Sequence, residues 1–245
     1  MPTRLVHVVF DANDPSRLAR FWAAALGWEV VFEQPDEVVA EPPGFEYPGP
    51  SALPLVFVPV PEPKTGKNKV HLDLGTESAT QQRELVTRLR DQGASPVDIG
   101  QGDVPWVVLG DPEGNEFCVL EPRPIYRDTG PVAAIVVDSK EPRSLASFWA
   151  LAGGWTAHGE EKGLVRLRSP HESGPYLELL TSSDVKQVKN RVHLDVAPLK
   201  EDDHTAATNN LLAAGAARVE IGQGEVSWTV LADPEGNEFC VLSPR

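Results

Sequence analysis

The sequence predicts an α+β protein built of two tandem domains, each a pair of βαβββ units. Three observations carry this reading. IGQGDVPWVVLGDPEGNEFCVLEPR at 99–123 returns as IGQGEVSWTVLADPEGNEFCVLSPR at 221–245; five pairs differ (Asp103/Glu225, Pro105/Ser227, Val107/Thr229, Gly110/Ala232, Glu121/Ser243), leaving 20 of 25 identical. VHVVFDANDPSRLARFWAAALGW (6–28) likewise answers to AAIVVDSKEPRSLASFWALAGGW (133–155), and NKVHLDL (68–74) to NRVHLDV (190–196). Within each copy, strand and helix signals run strand, helix, three strands, and then start again.

The elements follow from local chemistry. Residues 4–10 form an apolar strand. Asp14 then offers an N-cap acceptor and Pro15 a first helical residue whose missing N–H costs nothing. Leu18, Phe21, Trp22 and Ala25 recur at helical spacing, and Gly27 ends the helix. Strands are predicted near 28–33, 37–41 and 54–60. The Pro- and Gly-rich stretch EPPGFEYPGPSALP between the last two is a loop. The second unit opens with a strand at 69–74 and a helix from Ser78 to Gln92, closed by Gly93. Strands near 95–99, 105–109 and 116–121 follow, the last two joined by the tight turn Asp111-Pro-Glu-Gly-Asn115. The second copy repeats this, with a helix from Pro142, strands near 164–168, 175–180 and 191–196, a helix over 203–214, and the closing strands. The domains are placed at 1–123 and 131–245, with a proline-rich linker at 124–130.

Composition sets the function classes. Apolar residues make up 41% and charged residues 24%, as in soluble globular proteins. A net charge of −14 argues against nucleic acid and anionic membranes as partners. No stretch reaches the ~20 apolar residues of a membrane span, and the N-terminus lacks a signal-peptide apolar core, so a cytoplasmic protein is expected. The expected partner is a small-molecule ligand, and the chain is expected to be a monomer or homodimer. The two cysteines, Cys118 and Cys240, occupy equivalent positions and read as free thiols.

The paired βαβββ units, the D-P…F-W…L-G-W helix, the V-H-L-D strand and the D-P-E-G-N-E-F turn resemble the glyoxalase / bleomycin-resistance / ring-cleaving dioxygenase superfamily, also called vicinal oxygen chelate. The resemblance implies that each pair of units curves into an open, incomplete barrel around one pocket. It also implies metal ligands on the first, fourth, fifth and last strands. In chain order those positions are His7, Val56, His71 and Cys118 in copy one, and Ala134, Glu178, His193 and Cys240 in copy two. Read this way, no cofactor is expected, since a catalytic metal usually takes three protein ligands; the alternative is a divalent metal on the incomplete set His7 and His71.

Alternation along the VHLD strand puts His71 and Asp73 on one face, opposite Val70, Leu72 and Leu74. His71 and Asp73 are therefore the candidate catalytic pair. The ligand-binding set is His71, Asp73, Trp106, Cys118, Glu178, His193, Asp195, Trp228 and Cys240. The tryptophans are included because aromatic walls suit planar ligands. The reading expected is a metal-independent small-molecule binder, of the drug-binding or resistance type that the resemblance implies. The alternatives are a metal-dependent or acid–base lyase, isomerase or dioxygenase acting in the first domain, and a non-catalytic scaffold.

Overall fold

The computed structural model describes residues 3–47, 49, 52–224 and 226–245. The first unit holds β1 (Arg4–Ala12), α1 (Pro15–Leu26), β2 (Glu29–Gln34), β3 (Glu37–Glu41) and β4 (Leu55–Pro59). The second holds β5 (Val70–Leu74), α2 (Ala79–Asp91), β6 (Ser95–Pro96), β7 (Val107–Gly110) and β8 (Glu116–Val119). A short 3-10 turn, Pro124–Tyr126, lies in the linker. The third unit has β9 (Val132–Ser139), α3 (Pro142–Gly153), β10 (Thr156–Glu161), β11 (Leu164–Arg168) and β12 (Tyr176–Thr181). The fourth has β13 (Val192–Ala197), α4 (His204–Ala213), β14 (Ala217–Arg218), β15 (Thr229–Ala232) and β16 (Glu238–Val241).

These units make two open eight-stranded sheets, and each sheet combines one unit from each copy. The first runs β14-β15-β16-β13-β1-β4-β3-β2, the second β10-β11-β12-β9-β5-β8-β7-β6. The central seams are antiparallel: β1 lies along β13 with Val9 opposite His193, and β5 lies along β9 with His71 opposite Val136. Unit one therefore pairs with unit four, and unit two with unit three, rather than each with its neighbour inside a copy. The short segment between β8 and β9 brings unit three directly beside unit two, which leaves units one and four to complete each other.

Each copy is tied together differently. Trp22 on α1 donates its indole N–H to Asp111 at 3.1 Å, and Trp149 on α3 does the same to Asp233 at 3.1 Å. Asp111 also accepts from the backbone of Glu113 and Asn115, which builds the turn. Gly114 closes it at φ +83, a left-handed conformation open to glycine. Glu113 and Glu235 accept from the backbone N–H groups that start α1 and α3, so their role in the turn is structural.

α1 forms as its sequence dictates: Asp14 caps Arg17 N at 3.0 Å, and Leu18, Phe21 and Trp22 are buried. The helices cover one face of each sheet. A continuous apolar core runs there from Phe10, Trp22 and Phe57 through Leu72 and Ile135 to Trp149 and Phe239. Two smaller clusters lie on the opposite, helix-free faces. Two local differences from the sequence expectation stand out. The strand expected over 95–99 shortens to Ser95–Pro96, and β10 forms although every residue of TAHGEE is exposed, because its backbone pairs with β11.

Candidate functional site

The exchange of units redistributes the expected site residues. His7 and His71, the expected metal pair of one domain, stand in different sheets. His7 is joined by His193, Asp195 and Cys240 of the other copy, and His71 and Cys118 face Ala134 and Glu178. The pairing in chain order is corrected here for a physical reason: helical and strand periodicities specify faces, but not which strand lies alongside.

On the first helix-free face, cross-strand register sets two rows of side chains. One runs Phe32, Val39, Val56, Val9, His193, and the next His7, Asp195, Cys240, Val230. His7 Nδ1 lies 3.4 Å from Asp195 Oδ2, His193 Nε2 lies 3.7 Å from Asp195 Oδ1, and Cys240 Sγ is 3.8 Å from His193 Nε2. His193, Asp195 and Cys240 are buried, and His7 keeps 15% of its side chain open to solvent. His193 Nδ1 and Asp195 Oδ1 are buried without a hydrogen-bond partner. Burial, with the Asp195 carboxylate beside it, pushes the Cys240 thiol well up, so the sulfur is protonated. Tyr47 borders the same face, its ring 6.3 Å from His7 and beneath the Arg4 guanidinium. Burial raises its phenol above the ordinary value, against the pull of Arg4.

The second face carries the same scaffold with a different filling. His71 Nε2 is 3.5 Å from Asp73 Oδ1, and both cluster with Cys118. That contact is an ion-pair approach too poorly aligned for a hydrogen bond, and Asp73 Oδ1 is left without one. Burial opposes a charge on His71, but the Asp73 carboxylate outweighs it and raises the imidazole above its usual value. Burial and Asp73 also push the Cys118 thiol up. The fourth-strand Glu178 accepts from Arg166 Nε and from Tyr126 Oη, each at 2.8 Å. Burial raises its carboxyl, and Arg166 counters only part of this. Arg168 lies 4.6 Å over the Tyr176 ring, Tyr126 meets Tyr176 edge-on, and Arg123 lies 5.6 Å over Trp106. His71, Asp73 and Cys118 thus come together as the sequence indicates, beside a face filled by the protein's own side chains.

Trp106 and Trp228 stand just before β7 and β15, each packed on its face's apolar cluster. Sequence reasoning missed Arg166, Arg168 and Tyr126. Only Tyr126 left a signal: an aromatic residue among the prolines of EPRPIYRDTGP. A cleft of about 770 Å³ opens between residues 62–69 and 184–191. Four of its basic side chains are already paired: Lys67 with Asp138 and Asp184, Lys186 with Glu238, Lys189 with Asp11, and Arg191 with Glu113. The His–Asp–Cys clusters, with unpartnered polar atoms, are the better site.

Residues 7–120 and 134–242 each match the family model described as a glyoxalase-like domain. The chain belongs to that family, within the vicinal oxygen chelate superfamily. No curated protein matches the chain. Among solved structures, glyoxalase I from Zea mays aligns with TM-score 0.67 and 13% identity, over 98% of this chain and 92% of that one. A putative dioxygenase from Bacillus subtilis aligns with TM-score 0.62 and 15% identity, over 98% and 84%. At these identities the likeness is one of fold. No helix among the described residues is long and apolar enough to cross a membrane.

Proposed function

We propose that the first helix-free face is the working small-molecule site, and that it holds a divalent metal of the zinc type for a lyase or isomerase reaction. The observation that carries this is the convergence of His7 from one copy with His193, Asp195 and Cys240 from the other. The donors suit such an ion: two imidazoles and a thiol fit zinc or copper by ligand softness. The buried, unpartnered Asp195 Oδ1 supports the same reading, since buried polar atoms are rarely left unmet. When bound, the metal would polarise an oxygen of the ligand. His193, Asp195 and Cys240, whose donor atoms lie within 4.8 Å of one another, would hold it, with His7, which Asp195 also orients, as a further donor. Val9 and Val56 are buried beside it, and the half-buried Val39 and exposed Phe32 extend the apolar row toward the sheet edge.

A metal-independent binder of the drug-resistance type is the second reading. It is favoured by the protonated Cys240 thiol, which must lose its proton to ligate. Metal titration of full-length protein separates the two. One zinc-type ion per chain is expected, lost in His193→Ala and kept in His71→Ala. No uptake by the wild type, or loss in His71→Ala alone, rejects the metal reading.

A further inference from the structure

Two basic runs, KTGKNK at 64–69 and KQVKNR at 186–191, are equivalent at the repeat offset of 122. They face each other across the cleft of about 770 Å³. In a chain of net charge −14 they hold five of its eight lysines. Four of the five cations that line the cleft are neutralised by carboxylates; Lys69, 9% exposed, is the exception among the described residues. Its ammonium donates to the Asp184 carbonyl at 2.8 Å, while the Asp184 carboxylate is taken by Lys67. The counterpart in the second copy shows what Lys69 lacks. Arg191 reaches the Glu62 carbonyl at 2.6 Å and also the Glu113 carboxylate at 2.9 Å. The carboxylate equivalent to Glu113 is Glu235, which accepts from the Ser139 hydroxyl at 2.7 Å, where the first copy has Ala12. Glu235 thus meets a neutral hydroxyl in place of a guanidinium, and the Lys69 charge is left without a counter-ion.

We infer that this cleft binds an aliphatic monocarboxylate, with its carboxylate on Lys69 and its apolar body against Val185, Val188 and Ile99. A buried charge is costly unless paired, and an ammonium carries three donors, of which the Asp184 carbonyl takes one. One uncompensated cation matches one negative charge. Glu62 and Asp98 stand exposed on the rim and, with the net charge of −14, oppose a polyanion. The apolar half of the ligand follows from the walls. Val185 and Val188 are 63% and 52% exposed, and Ile99 is exposed on the same cleft. Covering them removes apolar surface from water. Among the described residues no aromatic side chain lines the cleft, so an aliphatic body suits it better than a planar ring. The volume is that of an ordinary small-molecule site. The inference does not depend on a metal in the first face.

The test is calorimetric titration of the full chain with octanoate, with 1-octanol as a neutral molecule of the same tail and inorganic phosphate as a multiply charged anion. The wild type is expected to bind one equivalent of octanoate, with octanol and phosphate at least about tenfold weaker. Lys69→Met keeps the apolar stem and removes the charge. It is expected to weaken octanoate about tenfold or more and to leave octanol unchanged. Val188→Asp, an exposed change on the wall, is expected to weaken octanoate by a similar factor at an unchanged thermal midpoint. If Lys69→Met does not fold, Val188→Asp decides with the wild type. The proposal is overturned if the wild type binds no octanoate, if octanol or phosphate binds as tightly, or if either variant binds octanoate as the wild type does. Octanoate binding lost in His193→Ala and kept in Lys69→Met puts the ligand in the first face and also overturns it. Octanoate binding that Lys69→Met weakens, in protein that takes up no zinc, upholds the cleft and sinks the metal reading alone.

Discussion

His7 of the first copy and Asp195 of the second lie 3.4 Å apart, across the antiparallel seam of β1 and β13. Asp195→Asn keeps the shape and removes the charge that orients His7. Metal affinity is expected to fall about 10- to 100-fold, as for other residues that position a ligand. His7→Ala gives the first face the pattern that Ala134 gives the second and is expected to abolish metal uptake. Equilibrium dialysis of both variants against zinc measures this. Unchanged affinity in Asp195→Asn removes Asp195 from the site.

The indole–carboxylate contacts are expected to matter for stability and not for ligand binding. Trp22→Phe keeps most of the apolar bulk against Phe117 but removes the donor to Asp111. A loss of about 1–2 kcal/mol is expected, read as a thermal midpoint lower by roughly 2–8 °C. Trp149→Phe should match it, because Asp233 is built the same way.

Asp111 gives the turn a pH dependence. Burial pushes its carboxyl up to about 6 from an ordinary 3.8, with the Asn115, Glu113 and Trp22 donors countering only in part. The folded chain then keeps a proton that the unfolded chain releases. Between about pH 4 and 6 this group makes stability fall as pH rises. Asp111→Asn does not titrate, so the unfolding free energy of the wild type minus that of the variant should drop by on the order of 3 kcal/mol from pH 4 to 7. A difference that rises with pH contradicts this.

Glu178 and Arg166 form a buried pair at 2.8 Å, where the first face has Val56 and Val39. Glu178→Val alone strands the Arg166 charge and should cost about 3–5 kcal/mol. Replacing both with valine, together with Tyr126→Phe, copies the first face and should cost less than the single change. Urea unfolding of the single and triple variants checks this, and additive losses argue against a coupled cluster.

A fragment of residues 1–123 keeps β1 and β5 but loses the strands along which both lie. Two copies of the fragment can supply each other's missing unit. A dimer, or aggregation through the open edges, is expected by light scattering, and a stable folded monomer is not.

Much of the fold was legible in the sequence. The near-identical 99–123 and 221–245 established the repeat, and Leu18, Phe21 and Trp22 placed α1. His71 and Asp73 shared a face because strand alternation is a local rule. The partner of His7 was not legible. Nothing local distinguishes His71 from His193, which sit in nearly identical VHLD strands, and only the seam between β1 and β13 selects the second. The filling of the second face was hidden for a similar reason. Tyr126 lies in a segment whose prolines read as a connector, and Arg166 lies in LVRLR, where a charge between apolar residues looks like a solvent-facing position although it is 5% exposed.

The exchange of units also changes what the duplication made redundant. Losing either half of the gene would remove half of both faces, so neither half is a spare. Alanine at 134 and glutamate at 178, against histidine at 7 and valine at 56, are differences between faces rather than between halves. A substitution in either half therefore alters one face and leaves the other as it was.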